Sequence, residues 1–320
     1  MRKYVCSRQH FIDEDNALLE KYVDHFCHDA VNGMDYITWC QHFMPSELPS
    51  LVSKCRDTGS LALACPSDIE TKEMSRLLVR VESLVQEAAA LNVRIFIDAE
   101  QYYMQPAIDS IALQLQEKYN SLSSFDHPIV FNTYQTYLTN AKEKLQFDIE
   151  RSTRMRYHFG AKLVRGAYLE GERSRALLHN YSSPIHNTIE DTHSCFDECV
   201  QKIMMHHVSV GNTQSPEVVL ATHNQKSIEL ALQAMKDLKI NKHENTIRFA
   251  QLLGMSDNLT FALAKQRYKS YKYIPYGEVS EVLPYLLRRL EENSSLFGNV
   301  SKEINSILRE LQRRFIGSLY

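Results

Sequence analysis

The sequence lacks the features that mark several large classes of protein. With 10 glycines and 9 prolines in 320 residues, it is neither collagen-like nor a Gly/Pro-rich disordered chain. No apolar run approaches the ~18 residues of a membrane-spanning helix. The 36 basic and 39 acidic residues give a net charge of −3, which provides no general basic field for nucleic acid. The rest of the composition, 44% hydrophobic and 23% charged, is typical of a globular chain with a sizeable core.

Cysteines are few, and their pattern argues against a disulfide framework. The seven cysteines are odd in number and irregularly spaced, without a Cys-x-x-Cys pair. We therefore expect reduced thiols in an intracellular protein. The first residues contain no apolar signal-peptide core, and the basic stretch with Arg2, Lys3 and Arg8 is too short to predict a transit peptide.

Short apolar runs alternate with helical patterns along most of the chain. Nearly continuous apolar runs are typical of strands covered on both faces, and their alternation with helices predicts an α/β fold with a parallel sheet. The predicted strands are 93–98, 129–133, 161–165, 218–222, 247–251 and 271–275. The predicted helices are 11–31, 68–91, 106–119, 134–151, 191–206, 224–238, 257–267 and 278–292, with Asp68 as the N-cap of the second.

Polar side chains follow each of the six predicted strands. In parallel α/β folds the carboxyl ends of the strands carry the functional site, so six polar strand ends favour a site over a purely structural sheet. The sequence has no Gly-x-Gly-x-x-Gly or Walker motif, no metal-ligand set and no obvious nucleophile. This pattern suits a bound cofactor that performs the chemistry itself.

The last predicted helix of the α/β region carries two adjacent arginines beside a tyrosine. Tyr285 precedes Arg288 by three residues and Arg289 by four, so the three side chains share one helix face. Two guanidinium groups beside a phenol suit a carboxylate ligand with an apolar body. The alternative is a solvated face, on which the arginines pair with Glu281, Glu291 or Glu292. The helix alone favours neither interpretation.

Seven ordered motifs resemble the proline dehydrogenase family, particularly its eukaryotic form. They are FIDAEQ at 96–101, FNTYQ at 131–135, KLVRGAY at 162–168, ATHN at 221–224, QLLGM at 251–255, YIPYG at 273–277 and PYLLRR at 284–289. The resemblance implies a flavin-binding (β/α)8 barrel of the TIM type over residues 69–300. A helical and loop segment over 1–68 would precede it, and a helix over 301–320 would follow. It implies oxidation of L-proline to Δ1-pyrroline-5-carboxylate, with hydride transfer to N5 of FAD and electron transfer to a quinone. It also implies peripheral contact with the matrix side of the mitochondrial inner membrane.

The resemblance also implies roles for particular residues. Arg288 and Arg289 would bind the proline carboxylate, and Tyr273 and Tyr285 would pack against its ring. Asp98 would belong to the charge network of the proline site. The FAD-binding residues would be Asn132, Lys162, Val164, Gly166, Thr222, His223, Asn224 and Gln251, with Lys162 near the reactive edge of the flavin. Gly166 would let the backbone approach the flat ring.

Two alternatives remain open from the sequence. The sister family of hydroxyproline dehydrogenases looks similar but tends to have a small polar residue where this chain has Tyr273, so Tyr273 favours proline. In addition, the six predicted strands match strands three to eight of the family barrel, and neither strands one and two nor the lysine of strand two is found. We therefore expect an incomplete barrel with compromised FAD binding, or a catalytically silent fragment.

Overall fold

The computed structural model describes residues 65–244, 246–294 and 308–314, without the side chains of 212, 213, 288 and 290–294. The predicted helix 11–31 and almost all of the segment 1–68 lie outside the described residues. Of the predicted C-terminal helix, residues 308–314 are described, and they are helical.

Six strands form one parallel sheet in the order β1-β2-β3-β4-β5-β6, which is also their order along the chain. The strands are β1 (Ile95–Ile97), β2 (Val130–Gln135), β3 (Gly160–Val164), β4 (Glu217–Ala221), β5 (Ile247–Leu252) and β6 (Ser270–Tyr273). All six predicted strands are therefore confirmed, and each is followed by a helix, as in an α/β barrel.

Eight α-helices surround the sheet in the main described part of the chain. They are α1 (Asp68–Ala90), α2 (Gln105–Tyr119), α3 (Ala141–Met155), α4 (Leu169–Leu178), α5 (Ile189–Val210), α6 (Gln225–Asp237), α7 (Asp257–Lys265) and α8 (Val279–Ser294). Helix α1 is capped by Ser67 rather than Asp68: its hydroxyl accepts from the Glu70 amide at 3.3 Å while the Glu70 carboxylate accepts from the Ser67 amide at 2.8 Å.

Two helix predictions differ from the structure. The helix predicted to start at 134 starts at Ala141, because β2 continues to Gln135. The amides of Thr136 and Tyr137 then donate to the carbonyls of Val164 and Arg165 at the end of β3. Helix α4 was not predicted. Its last two apolar residues, Leu177 and Leu178, are at least 80% exposed, so it shows little of the apolar periodicity that marks a buried helix face.

The two faces of the sheet have different surroundings. Residues that face the helices form the main core, including Leu163 on β3, Leu220 on β4 and Phe249 on β5, packed against Phe196 and Ile203 of α5. Alternate residues face the other way, because side-chain direction reverses at each position of a strand. This concave face includes Phe96, Phe131, Thr133, Gln135, Lys162, Val164, Glu217, Val219, Ala221, Arg248, Ala250, Leu252, Tyr271 and Tyr273.

A buried ion cluster lies at the amino ends of the strands. Glu217, at the start of β4, accepts two hydrogen bonds of 2.9 Å from Arg94, which immediately precedes β1, and also pairs with Arg248 of β5. Side chains stand roughly perpendicular to a sheet, so Arg94 and Glu217 meet across two intervening strands only because the sheet is curled. The described residues thus form an incomplete barrel.

Candidate active site

The carboxyl end of the concave face carries an ion pair. Lys162 of β3 and Asp98, which follows β1, bind each other across the intervening strand β2. The Lys162 side chain is 17% exposed and the Asp98 side chain 60% exposed. The pair therefore places the partly buried ammonium group of Lys162 at the carboxyl end of the barrel, with the more exposed carboxylate of Asp98 beside it.

Small and apolar side chains lie beside this cation. Val164 follows Lys162 on the concave side of β3, and the corresponding residues of the next strands are Ala221, Ala250 and Leu252. All four are only partly buried. A flat apolar group can approach the sheet here, because two of the four side chains end at Cβ.

Aromatic rings and an arginine from β6 and α8 lie at the edge of the same sheet that β6 forms. The rings of Tyr273 and Tyr285 are 5.7 Å apart, and the Arg289 guanidinium lies 5.1 Å from the centre of the Tyr285 ring. Tyr273 is 44% exposed. Three of the residues predicted to bind proline are thus together. The backbone of Arg288 lies on α8 between them, and its side chain is outside the description.

A second cation, Arg165, lies just beyond β3. Its Nε donates to Nδ1 of His193 at 2.9 Å, and its terminal nitrogens donate to the hydroxyls of Thr222 at 2.6 Å and Ser227 at 2.8 Å. Its guanidinium also lies 4.4 Å from the centre of the Phe196 ring. All these partners are uncharged, and burial lowers the pKa of Arg165 to about 10.

His223 and Asn224, both predicted to bind the cofactor, connect β4 to α6 and to β5. The Leu252 amide donates to Nε2 of His223 at 3.1 Å, so the ring is neutral and its proton is on Nδ1. Burial, with help from Lys272 and Arg165, lowers the pKa of His223 to about 4. Asn224 caps α6 by accepting from the Ser227 amide at 3.1 Å.

Two predicted cofactor residues lie on the helix side of the sheet. Asn132 is fully buried and donates to Asp109 of α2 at 3.0 Å. Gln251 is 2% exposed and accepts from Thr260 of α7 at 2.8 Å. In this structure both side chains are part of the sheet–helix packing, and on β2 the concave positions nearest to Asn132 belong to Phe131 and Thr133.

Gly166 has a packing reason for being glycine. Its φ of +133° is a conformation that favours glycine, and a Cβ at this position would lie 2.4 Å from the Tyr137 ring. The missing side chain therefore makes room for Tyr137, a buried residue of the β2–α3 connection. The expected close approach of the Gly166 backbone to a flavin stays a prediction.

His193 and Ser227 belong to this end of the sheet but were not predicted as site residues. His193 lies in the first turn and a half of α5, far from any strand end in sequence. The sequence pointed to His193 and Ser227 only indirectly, because Arg165 at the end of a strand needs hydrogen-bond acceptors. Among the described residues, no group of three His, Cys, Asp or Glu side chains is arranged to hold a metal, and no helix is both long and apolar enough for a membrane span.

The chain is similar to known proteins over most of its length. A family model described as Proline dehydrogenase matches residues 15–302. The protein named Proline dehydrogenase 1, mitochondrial, of Drosophila melanogaster is 42% identical over 255 residues, which are 78% of this chain and 37% of that protein. The hydroxyproline dehydrogenase of Bos taurus is 36% identical over 270 residues, 84% of this chain and 58% of that protein.

Solved structures share the fold. The proline utilization A protein of Bdellovibrio bacteriovorus superposes on 70% of this chain and 22% of its own, with a TM-score of 0.61 and 21% identity. The chain spans less than half the length of the Drosophila relative, so the similarity extends over only a part of that protein. Since the family model matches from residue 15 to residue 302, the chain belongs to the proline dehydrogenase family.

Proposed function

We propose that this chain is the barrel of an FAD-dependent proline dehydrogenase, with residues 69–300 as its flavin-binding unit. The observation that carries the proposal is that Lys162 and Asp98 lie at the same end of one sheet as the Tyr273–Tyr285–Arg289 cluster, in a chain of this family. A cation beside an apolar surface and an arginine beside aromatic rings suit a flavin and an imino acid respectively.

The substrate part of the site is formed by β6 and α8. Arg288 and Arg289 bind the carboxylate of L-proline, because adjacent guanidinium groups on one helix can both donate to it. Tyr273 and Tyr285 pack against the pyrrolidine ring, which is apolar on both faces. Asp98 supports the charge balance of the site through its ion pair with Lys162.

The residues present fit FAD by their chemistry. The partly exposed surface formed by Val164, Ala221, Ala250 and Leu252 suits a flat ring, and Lys162 stands beside it. Further contacts come from Gly166, Thr222, His223 and Asn224, and from the neighbourhood of Asn132 and Gln251. When bound, FAD would supply a two-electron acceptor for the hydride of C5 of L-proline, and loss of that hydride together with a proton of the ring nitrogen would give Δ1-pyrroline-5-carboxylate.

The chain's own contribution to the chemistry is positioning and charge. Lys162 is held by Asp98, so its ammonium group is already in place to stabilise negative charge at the reactive edge of the site. Neutral His223 offers only its Nδ1–H as a donor, since its Nε2 is used by the Leu252 amide. The tyrosine rings exclude water from the substrate ring.

The proposal extends to the electron acceptor and to the location of the protein. We propose a quinone as acceptor, as the resemblance implies, and peripheral contact with the mitochondrial inner membrane from the matrix side. The name of the Drosophila relative, which includes the word mitochondrial, supports the compartment. The C-terminal unit 301–320 is the candidate contact, because Leu308 and Leu311 are about half exposed at 50% and 46%. Its basic residues Arg313 and Arg314 already pair with Glu310.

Hydroxyproline oxidation is the second candidate, since a hydroxyproline dehydrogenase is among the relatives. The bulk of Tyr273 argues for proline, because its ring occupies the space that a ring hydroxyl would need.

The test is flavin retention and reduction by the full chain. Purified protein supplied with FAD should retain a yellow flavin spectrum after gel filtration, and L-proline should bleach it. Faster bleaching by hydroxyproline than by proline would favour the second candidate. A chain that retains no flavin would instead be the silent fragment, and this result would reject the proposal.

A further inference from the structure

The hydrogen bonds of His193 define which of its ring nitrogens carries the proton. Arg165 has only donors, so His193 Nδ1, 2.9 Å from the Arg165 Nε, must accept. The proton of the neutral ring is therefore on Nε2. The reverse tautomer would direct two N–H groups at each other over 2.9 Å.

This assignment leaves a second donor beside it. His193 Nε2 lies 3.4 Å from Nδ2 of Asn224, and the Asn224 side-chain oxygen is already bound to the Ser227 amide. The Nε2–H of His193 and the Nδ2–H of Asn224 thus lie side by side without bonding each other. Two adjacent donors of this kind suit one shared oxygen acceptor from a ligand.

The charge of the neighbourhood suits an acidic acceptor. The described hydrogen bonds of Arg165 reach only uncharged groups, and the one carboxylate that acts on it, that of Asp197, does so without a described hydrogen bond. The amino end of α6 begins directly after Asn224. A helix amino end and a guanidinium both attract anions. FAD carries two phosphate groups, which are its anionic part.

We propose that His193 is a positioning residue of the FAD site, which holds Arg165 in place through Nδ1 and presents Nε2–H together with Asn224 to an oxygen of the cofactor. The inference rests on the proposed function. It assigns a role to a residue of α5 that lies outside the strand-end motifs.

The arrangement works only while His193 is neutral. A protonated ring has no acceptor for the Arg165 Nε–H and places two cations in contact. Burial and Arg165 lower the pKa of His193, Lys226 of α6 acts in the same direction, and Asp197 and Glu190 of its own helix oppose them. Arg165 therefore loses its acceptor as the pH falls below the ordinary histidine range.

The experiment compares FAD affinity of the full chain and of its variants across pH, followed by flavin fluorescence quenching. In the wild type, affinity should fall as the pH drops below the ordinary histidine range, by about tenfold once His193 is protonated, the loss of one charge-assisted hydrogen bond. His193→Gln keeps an acceptor at every pH and should fall less than about twofold. His193→Phe should bind weakly throughout. His179→Gln, an exposed histidine after α4, is the matched control and should behave as the wild type.

A second readout separates this inference from the proposed function. Nitrogen-15 NMR of the FAD-free chain, with His193 assigned by the signal lost in His193→Gln, should show a neutral ring with its proton on Nε2 near neutral pH. A proton on Nδ1, or equal pH slopes for the wild type and His193→Gln, would overturn the role of His193. Failure of the wild type to bind FAD at any pH would instead count against the proposed function, while the tautomer still decides the inference.

Discussion

Lys162 and Asp98 form an ion pair across strand β2, which joins the third strand of the sheet to the end of the first. The pair fixes a long, otherwise flexible lysine side chain at the carboxyl end of the concave face. We therefore expect a change at Lys162 to affect the chemical step, the reduction of the flavin.

Lys162→Met should lower the rate of flavin reduction by about 100-fold at saturating L-proline, the usual cost of losing one preorganised charge partner. The FAD content should change little, because the apolar surface beside Lys162 remains. Stopped-flow absorbance measures the rate. Lys265→Met, at the exposed end of α7, is the matched control. An unchanged reduction rate in Lys162→Met would remove Lys162 from the reactive edge.

Arg289→Ala should raise the KM for L-proline by about 30-fold or more, since losing one partner of a desolvated charge pair costs at least about 2 kcal/mol. Arg288→Ala should act in the same direction. Flavin content should stay normal in both variants. Steady-state kinetics with an artificial electron acceptor measure the effect, with Arg267→Ala on an exposed loop as control. Unchanged kinetics would favour the solvated-face interpretation of this helix.

Tyr273→Ser should raise the ratio of hydroxyproline to proline activity about tenfold, because it opens space beside the substrate ring. The ratio of kcat/KM values for the two substrates is the measurement. Tyr271→Ser is a close control, since Tyr271 lies two residues earlier on the same concave face. If the wild type already prefers hydroxyproline and the substitution changes nothing, the chain belongs to the sister activity.

Asp148→Asn should stabilise the fold increasingly as the pH rises from 4 to 7. Burial raises the pKa of Asp148 from its usual value of 3.8 to about 7, although Lys144 and the Tyr134 hydroxyl oppose the shift. Between these two pH values the unfolded chain releases a proton that the folded chain keeps, so the carboxyl group lowers stability as pH rises. His223, whose pKa is lowered to about 4, acts in the opposite direction below pH 6.5 in both proteins.

Thermal unfolding of the two proteins measures this effect as a difference in Tm. The difference should grow towards pH 7 and then level off. Asp237→Asn, at the exposed end of α6, should show no such trend. A constant difference between Asp148→Asn and the wild type across pH would mean that Asp148 is ionised throughout.

The strands could be predicted because buried parallel strands leave continuous apolar runs, whereas their place in a barrel was implied only by the family resemblance. The same continuity hides which side chains face the barrel. Asn132 and Thr133 are neighbours at the end of β2, yet one bonds α2 and the other lies on the concave face. When both faces are buried, no alternation in the sequence distinguishes them.

Contacts between distant segments were also beyond sequence reasoning. The residues after β2 were predicted to be helical, but the amides of Thr136 and Tyr137 bond the carbonyls of Val164, the last residue of β3, and of Arg165, which follows it. The resulting turn delays the start of α3 until Ala141. His193 shows no site pattern of its own. Its importance arises from Arg165, which is 28 residues away in the chain.

The buried cluster of Arg94, Glu217 and Arg248 has a consequence for how this protein tolerates change. It joins the first, fourth and fifth strands at the end of the sheet opposite the proposed active site. The residues of this cluster hold the curled sheet together at a distance from the proposed active site. Substitutions at the strand carboxyl ends can alter substrate preference without disturbing the ion cluster at the amino ends. Substrate preference and sheet curvature can therefore change independently among related sequences.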